Sequence, residues 1–108
     1  MEEFTKLVVK IIENIPFGKI ATYGSISLVA GKSNGARQVA RILHSMSRKH
    51  SLPWHRVINS RGYISLPKEN GYYLQKQLLQ MEGITFGIND KIDLNKYGWK
   101  PSKIKKDK

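Results

Sequence analysis

Thr22-Tyr23-Gly24-Ser25-Ile26-Ser27-Leu28-Val29-Ala30-Gly31-Lys32-Ser33-Asn34-Gly35-Ala36-Arg37-Gln38-Val39-Ala40-Arg41-Ile42-Leu43-His44-Ser45-Met46 is the stretch on which the fold turns. Ser25 is a residue type suited to an N-cap, and it opens a short helix to about Ala30. Gly31 falls at the position after a helix end where a left-handed residue is favoured. Ser33 or Asn34 can then cap a longer helix running to about Met46. Two helices joined by a short glycine-containing turn outline a helix-turn-helix.

On the N-terminal side, Phe4, Leu7, Val8, Ile11, Ile12 and Ile15 recur with the period of an amphipathic helix, which Pro16 and Gly18 end. On the C-terminal side, apolar pairs flank Asn59-Ser60-Arg61-Gly62 within Val57–Ser65, the pattern of a small hairpin or wing. Pro67 through Gly71 reads as loop. Leu74, Leu78 and Met81 are spaced as the buried face of a further helix that Gly83 stops. Ile84 to Leu94 fits two short strands around Asn89-Asp90, and Trp99 before Pro101 anchors the end of the folded part. The fold class expected is α+β, a small winged helix-turn-helix domain over residues 1–101, mainly helical with a short wing hairpin. Residues 102–108 read as a basic, disordered tail.

The 108 residues suffice for one domain with a real core and no staples. There is no cysteine, which excludes disulfides, thiolate catalysis and cysteine-ligated zinc. Glu2 and Glu3 occupy the place of a basic leader, and no apolar run approaches 18 residues, so neither secretion nor a membrane span is expected. The address implied is the cytoplasm of a prokaryote or the nucleus of a eukaryote. The net charge is +11, and it is unevenly spread. Between Glu13 and Glu69 no acidic residue occurs, while Lys19, Lys32, Arg37, Arg41, Arg48, Lys49, Arg56, Arg61 and Lys68 all do, with His44, His50 and His55 among them. One-signed charge repels itself in a compact domain, and the partner that relieves it is a polyanion such as nucleic acid. The plainer reading is a basic soluble protein.

Within the longer helix, Gly35, Ala36 and Ala40 make a small-residue face. A major-groove reader presents polar side chains there. A small face instead permits close approach in a narrow groove, or else simply packs against the preceding helix. A second run, Leu52-Pro53-Trp54-His55-Arg56-Val57-Ile58-Asn59, carries the most specific pattern in the chain. With Thr22-Tyr23-Gly24 and Ala36-Arg37-Gln38-Val39 in the same order, it resembles the O6-alkylguanine-DNA alkyltransferases over roughly residues 3 to 101. Those proteins have Pro-Cys-His-Arg-Val and take the alkyl group onto the cysteine. The tryptophan at that place resembles their alkyltransferase-like branch.

The resemblance implies binding of double-stranded DNA through the minor groove and recognition of O6-alkylguanine without chemistry. Arg37 becomes a finger that fills the stack behind an extruded base, where a lone helix arginine would ordinarily meet phosphate or solvent. Tyr23 presses on the target phosphate; alternatively it is a core aromatic at a helix start. Trp54 becomes an aromatic wall for the extruded base, with Pro53 and Tyr63 as further walls, where an unplaced tryptophan would be core. His55 and Glu82, in Glu82-Gly83, match the relay that activates the thiol in the enzymes and become scaffold here, supported by Asn59. Arg56 braces the loop or meets the DNA backbone. The family's Asn-Pro hinge is replaced by Ser47-Arg48-Lys49-His50-Ser51, and the loop Leu66 to Tyr72 has its own sequence, with Pro67 and Lys68. No metal or organic cofactor is implied, a monomer is expected, and the resemblance points to nucleotide excision repair proteins as partners. Two rival readings are an alkyltransferase enzyme, which lacks its nucleophile here, and a winged-helix transcription regulator.

Overall fold

A computed structural model describes residues 2–101. Helix α1 is Glu3–Glu13; strand β1 is Ala21–Thr22; α2 is Tyr23–Val29; α3 is Ala36–Met46; β2 is Val57–Ile58; α4 is Tyr73–Met81; and α5 is Leu94–Tyr97. The α+β class holds: the chain is mainly helical, with one two-stranded sheet. No helix of the described residues is long and apolar enough to cross a membrane. The basic tail expected at 102–108 lies outside the described residues.

The helix-turn-helix forms, with its caps moved. Thr22, not Ser25, is the N-cap of α2: its hydroxyl accepts from Ser25 N–H at 3.1 Å, while Ser25 Oγ accepts from Thr22 N–H at 3.3 Å. Ser25 is thus the reciprocal partner three residues in, a capping box with serine in the glutamate's place. Gly31 ends α2 as expected. Its φ of +108° is a left-handed value, and Gly31 N–H and Lys32 N–H turn back to Leu28 O and Ser27 O at 3.1 and 2.9 Å. The N-cap of α3 is Gly35, without a side-chain cap, so neither Ser33 nor Asn34 plays that part. Instead the buried Ser27 hydroxyl accepts from Gly35 N–H at 2.9 Å and donates to Lys32 O at 2.5 Å. A tertiary hydroxyl replaces a local one, and sequence periodicity cannot see it.

Two apolar clusters carry the fold. The first joins Phe4, Val8, Ile11, Ile12 and Ile15 to Ile26, Val39, Leu43 and Leu52, so α1 backs the helix-turn-helix. The second gathers Ile20, Ile58, Ile64, Leu79, Ile84, Ile92 and Tyr97. Between them β1 pairs in parallel with β2, Ala21 opposite Val57 and Thr22 opposite Ile58. Just before β1, Trp99 N–H donates to Ile20 O at 2.7 Å, and Trp99 packs on the first cluster, the anchoring role expected of it.

Three expectations fail C-terminal to α3. The wing hairpin does not form; β2 has its partner across the molecule, and 59–63 is a lone turn. Asn59 closes that turn, its Oδ1 accepting from Arg61 and Tyr63 N–H at 3.0 and 3.1 Å. The buried face of α4 is Gln75 and Leu79, whereas Leu74 and Met81 are exposed. The two strands around Asn89-Asp90 are absent; both residues adopt left-handed φ, and Gly87 N–H closes on Lys91 O at 2.8 Å. Tyr72 Oη and Lys76 Nζ tie Asp90 at 2.5 and 3.0 Å, which fixes this turn against the start of α4.

Candidate nucleic-acid interface

Val39, Ile42 and Leu43 of α3 face the core, and this leaves Ala36, Arg37, Ala40, Arg41 and His44 on the outer side. Arg37, Arg41, Arg48 and Lys49 are exposed. Among the described residues none of them has a carboxylate within ion-pair distance. Unpaired cations on the outer side of α3, Arg37 and Arg41, and in the turn that follows it, Arg48 and Lys49, make a surface of positive potential, which attracts a polyanion.

Beside this face lies a cavity of about 180 Å³, lined by Tyr23, Ala40, Leu43, His44, Ser47, Trp54, Leu66 and Gln75. The α3 contribution, at 40, 43, 44 and 47, is one helical stripe. A broader depression of about 300 Å³ adjoins it, bordered by Tyr23, Gly24, Ala36, Arg37, Ala40, Asn59, Ser60 and Ser65. Tyr23 and Ala40 line both, so they form the sill between helix face and cavity. Gly35, expected on this face, is buried behind it; a Cβ there would meet Ser27 Oγ at 2.5 Å. Its smallness serves packing between α2 and α3.

Trp54 is presented by a single tight turn, Trp54–Arg56, in which Trp54 N–H donates to Leu52 O and Arg56 N–H to Pro53 O. Gln75 holds this turn from behind, its amide nitrogen donating to His55 O and Val57 O, both at 3.0 Å. Pro53 and Tyr63, expected as further walls around Trp54, are not in the cavity lining, and neither is His55; Leu66 and Gln75 are. Lys68 is exposed and does not line the cavity either. The segment in the hinge position is closed by Leu52 N–H on Ser47 O at 2.9 Å, with Ser51 at a left-handed φ of +51°.

His55 pairs with Glu82 and does not line the cavity. Its Nε2 lies 2.6 Å from Glu82 Oε2, and its ring meets Trp54 edge-on at 6.0 Å between centroids. Glu82 also accepts Arg56 Nε at 2.9 and 3.0 Å and Gly18 N–H at 2.8 Å, and Arg56 Nη1 donates to Ile15 O at 2.8 Å. Burial alone would raise the Glu82 carboxyl, but Arg56, the Gly18 N–H and His55 together outweigh it and hold the group below its ordinary value. Gly18 and the Trp54 turn thus meet on one carboxylate at the end of α4, and Arg56 carries the connection on to the exit of α1. Arg56 braces; it does not reach the outer face. Among the described residues no group of three His, Cys, Asp or Glu side chains is placed to hold a metal.

Helix-turn-helix, cationic outer face and adjoining cavity define the class: a small DNA-binding domain. Residues 3–84 match the family of 6-O-methylguanine DNA methyltransferase DNA-binding domains, and the chain belongs to that family. It is 44% identical over 101 residues to the DNA base-flipping protein of Vibrio parahaemolyticus, covering 94% of this chain and all of that one. It is 39% identical over 106 residues to alkyltransferase-like protein 1 of Schizosaccharomyces pombe, covering 94% and 98%. The crystal structure of that yeast protein with damaged DNA containing O6-carboxymethylguanine superposes with a TM-score of 0.79, again over 94% and 98% of the two chains. With no cysteine anywhere, this chain cannot carry an alkyl group on that acceptor.

Proposed function

We propose that the chain recognises O6-alkylguanine in duplex DNA and holds the base outside the helix, without removing the alkyl group. The observation that carries this reading is the placement of Trp54 in a cavity whose sill, Tyr23 and Ala40, also borders the depression beside Arg37. α3 enters the minor groove on the small face of Ala36 and Ala40. Arg37 takes the vacated place in the stack, Tyr23 turns the nucleotide outward, and Trp54 supplies a flat apolar wall. Extrusion costs a few kcal/mol, and stacking on an aromatic returns about 1–3 kcal/mol, so the wall decides how much of the extruded state is populated. The persistent complex then marks the lesion for nucleotide excision repair.

The test is a titration against duplexes carrying guanine, O6-methylguanine and a bulkier O6-alkylguanine. The lesion duplexes should bind more tightly, and Arg37→Ala and Trp54→Ala should each remove the preference. Equal affinity of the wild-type protein for all three ends the proposal. Affinity should also fall steeply with salt, by about 0.9 in the log–log slope per phosphate neutralised. Transfer of labelled methyl to the protein would favour an enzyme instead, and sequence preference on undamaged DNA a transcription regulator.

A further inference from the structure

On the side of β1 away from β2, the chain end begins a second parallel ladder. Ile20 N–H donates to Tyr97 O at 2.9 Å and Trp99 N–H to Ile20 O at 2.7 Å. The next rung would take Thr22 N–H to Trp99 O, but that N–H goes to Ser25 Oγ in the cap of α2. The two segments therefore part after a single bridge. A cavity of about 170 Å³ opens where they separate, and Ile20, Thr22, Ser25, Leu94, Trp99 and Lys100 line it. None of these residues lines the two spaces beside α3.

Ile20 and Leu94 belong to the second apolar cluster and Trp99 packs on the first, so the cavity sits at the seam between them. The hydroxyls of its wall are already engaged. Thr22 Oγ1 accepts from Ser25 N–H, and Ser25 Oγ donates to Thr22 O, both at 3.1 Å. What remains is an apolar space with one charge in its lining, Lys100. Lys19 and Lys96 adjoin lining residues in the chain, and all three lysines are exposed. Among the described residues none of the three has a carboxylate within ion-pair distance. Asp93, beside Leu94, is engaged in capping α5, its Oδ1 accepting from Asn95 N–H at 2.9 Å. At about 170 Å³ the space falls below the roughly 300 Å³ at which sites for whole small molecules begin, and it suits a single apolar side chain.

We propose that this cavity docks an acidic segment of a partner protein, which inserts one bulky apolar side chain beside Trp99 and sets carboxylates against Lys100, Lys96 and Lys19. Charge complementarity selects that occupant. A second copy of this chain carries the same net charge of +11 and is repelled. DNA satisfies lysines, but its phosphates and sugars offer nothing to fill an apolar space. Thr22 adjoins Tyr23 in the chain, yet the two residues line different cavities, so duplex and partner segment bind at the same time. The proposal stands whether or not the outer face of α3 reads a lesion.

The probe is a capped pentapeptide with phenylalanine at its centre and two acidic residues on each side; its control carries glycine at the centre. The readout is the pair of indole ¹⁵N–¹H resonances of Trp99 and Trp54 in the wild-type protein. Trp99 should shift saturably with the phenylalanine peptide, with a Kd below about 1 mM, while Trp54 stays in place. The glycine peptide should bind at least about tenfold more weakly, the effect of one apolar side chain left unburied. Lys100→Glu, a change at an exposed position, should weaken the phenylalanine peptide by about two- to tenfold. An undamaged duplex added to saturation should leave the Trp99 shift intact. No saturable shift of Trp99, or equal binding of the two peptides, overturns the proposal. Displacement of the peptide by the duplex also overturns it, since the cavity is then part of the DNA contact. So does a Trp99 resonance that moves with protein concentration alone, which marks a second copy as the occupant. Equal affinity for lesion and plain duplexes is a separate failure and alters none of these outcomes.

Discussion

Replacing Gly35 with alanine sets two reasons for a glycine at the start of α3 against each other: room for DNA outside, or room for Ser27 inside. The backbone at Gly35, φ −99° and ψ 17°, is open to alanine, so left-handed strain plays no part. The added Cβ would lie 2.5 Å from Ser27 Oγ and 3.3 Å from both Lys32 Cβ and Phe4 Cζ. Ser27 is fully buried and must rotate, which abandons its bonds to Gly35 N–H and Lys32 O together. Overpacking costs about 1–3 kcal/mol, and stranding buried polar groups about 1–3 kcal/mol. One displacement causes both losses, so they overlap, and the net expectation is about 2–4 kcal/mol. For a domain of this size that lowers Tm by roughly 10–30 °C. Thermal and urea unfolding followed by circular dichroism measures it. Ser27→Ala made in the same chain removes the obstacle, so the double variant should lose at least about 1 kcal/mol less than the sum of the singles. A Tm within about 2 °C of wild type, combined with weakened DNA binding, would refute the packing argument and return Gly35 to the groove face.

Glu82→Gln should destabilise by about 2–4 kcal/mol in urea titrations, because Arg56 is left half-buried with only Ile15 O as its strong partner. The Glu82 carboxyl is depressed in the folded state, so the stability it contributes is complete above the unfolded value of about 4.3 and is lost as pH falls through the lower folded value. Tm should therefore drop below about pH 4.3, more steeply in wild type than in Glu82→Gln; parallel curves would contradict this. Leu79→Ala should cost about 2–5 kcal/mol and Leu74→Ala less than about 0.5 kcal/mol, the reverse of what leucine spacing along α4 suggests. Thr22→Ala should cost about 1 kcal/mol by unfolding measurements, while Asn34→Ala leaves stability unchanged.

Legibility in the sequence followed how local each structural cause is. α1 was readable because its apolar period is written in one segment, and Gly31 because a helix end needs a left-handed residue there. The end of α3 at Met46 falls where the longer helix was expected to stop. Caps and strands failed where a distant group decides. Ser27 caps the second helix across the turn, and β2 pairs with β1 from 36 residues away (Ala21 opposite Val57), so a hairpin pattern around Asn59 found no second arm. In α4 the apolar period marked Leu74, Leu78 and Met81, but the inward face holds Gln75, whose polarity hid it from any hydrophobic count. At the candidate interface, Tyr23 and Ala40 border both the cavity that holds Trp54 and the depression beside Ala36 and Arg37. His44 and Ser47 were within reach, since they continue the helical stripe from Ala40. Leu66 opens the loop Leu66 to Tyr72 that the resemblance set apart, whereas Gln75 carried no signal.

The pair His55 and Glu82 has a reason to be present that involves no thiol. In a chain able to take an alkyl group onto cysteine, such a pair reads as an activating relay. Here the carboxylate faces three donors at once, and two of them, Gly18 N–H and Arg56, lie outside any such relay. Removing the nucleophile from this arrangement leaves its mechanical function whole. Glu82 and Arg56 still join the exit of α1 to the turn that presents Trp54, and Gln75 fixes that turn from the opposite side. An aromatic wall is useful only if it does not move when a base leans on it. Stacking returns a few kcal/mol at most, and a mobile turn would spend part of that on its own ordering. The buried ionic cluster and the doubly bonded amide meet that cost in advance, at folding. On this view the substitution of tryptophan for cysteine changes what the turn does and leaves unchanged what holds the turn.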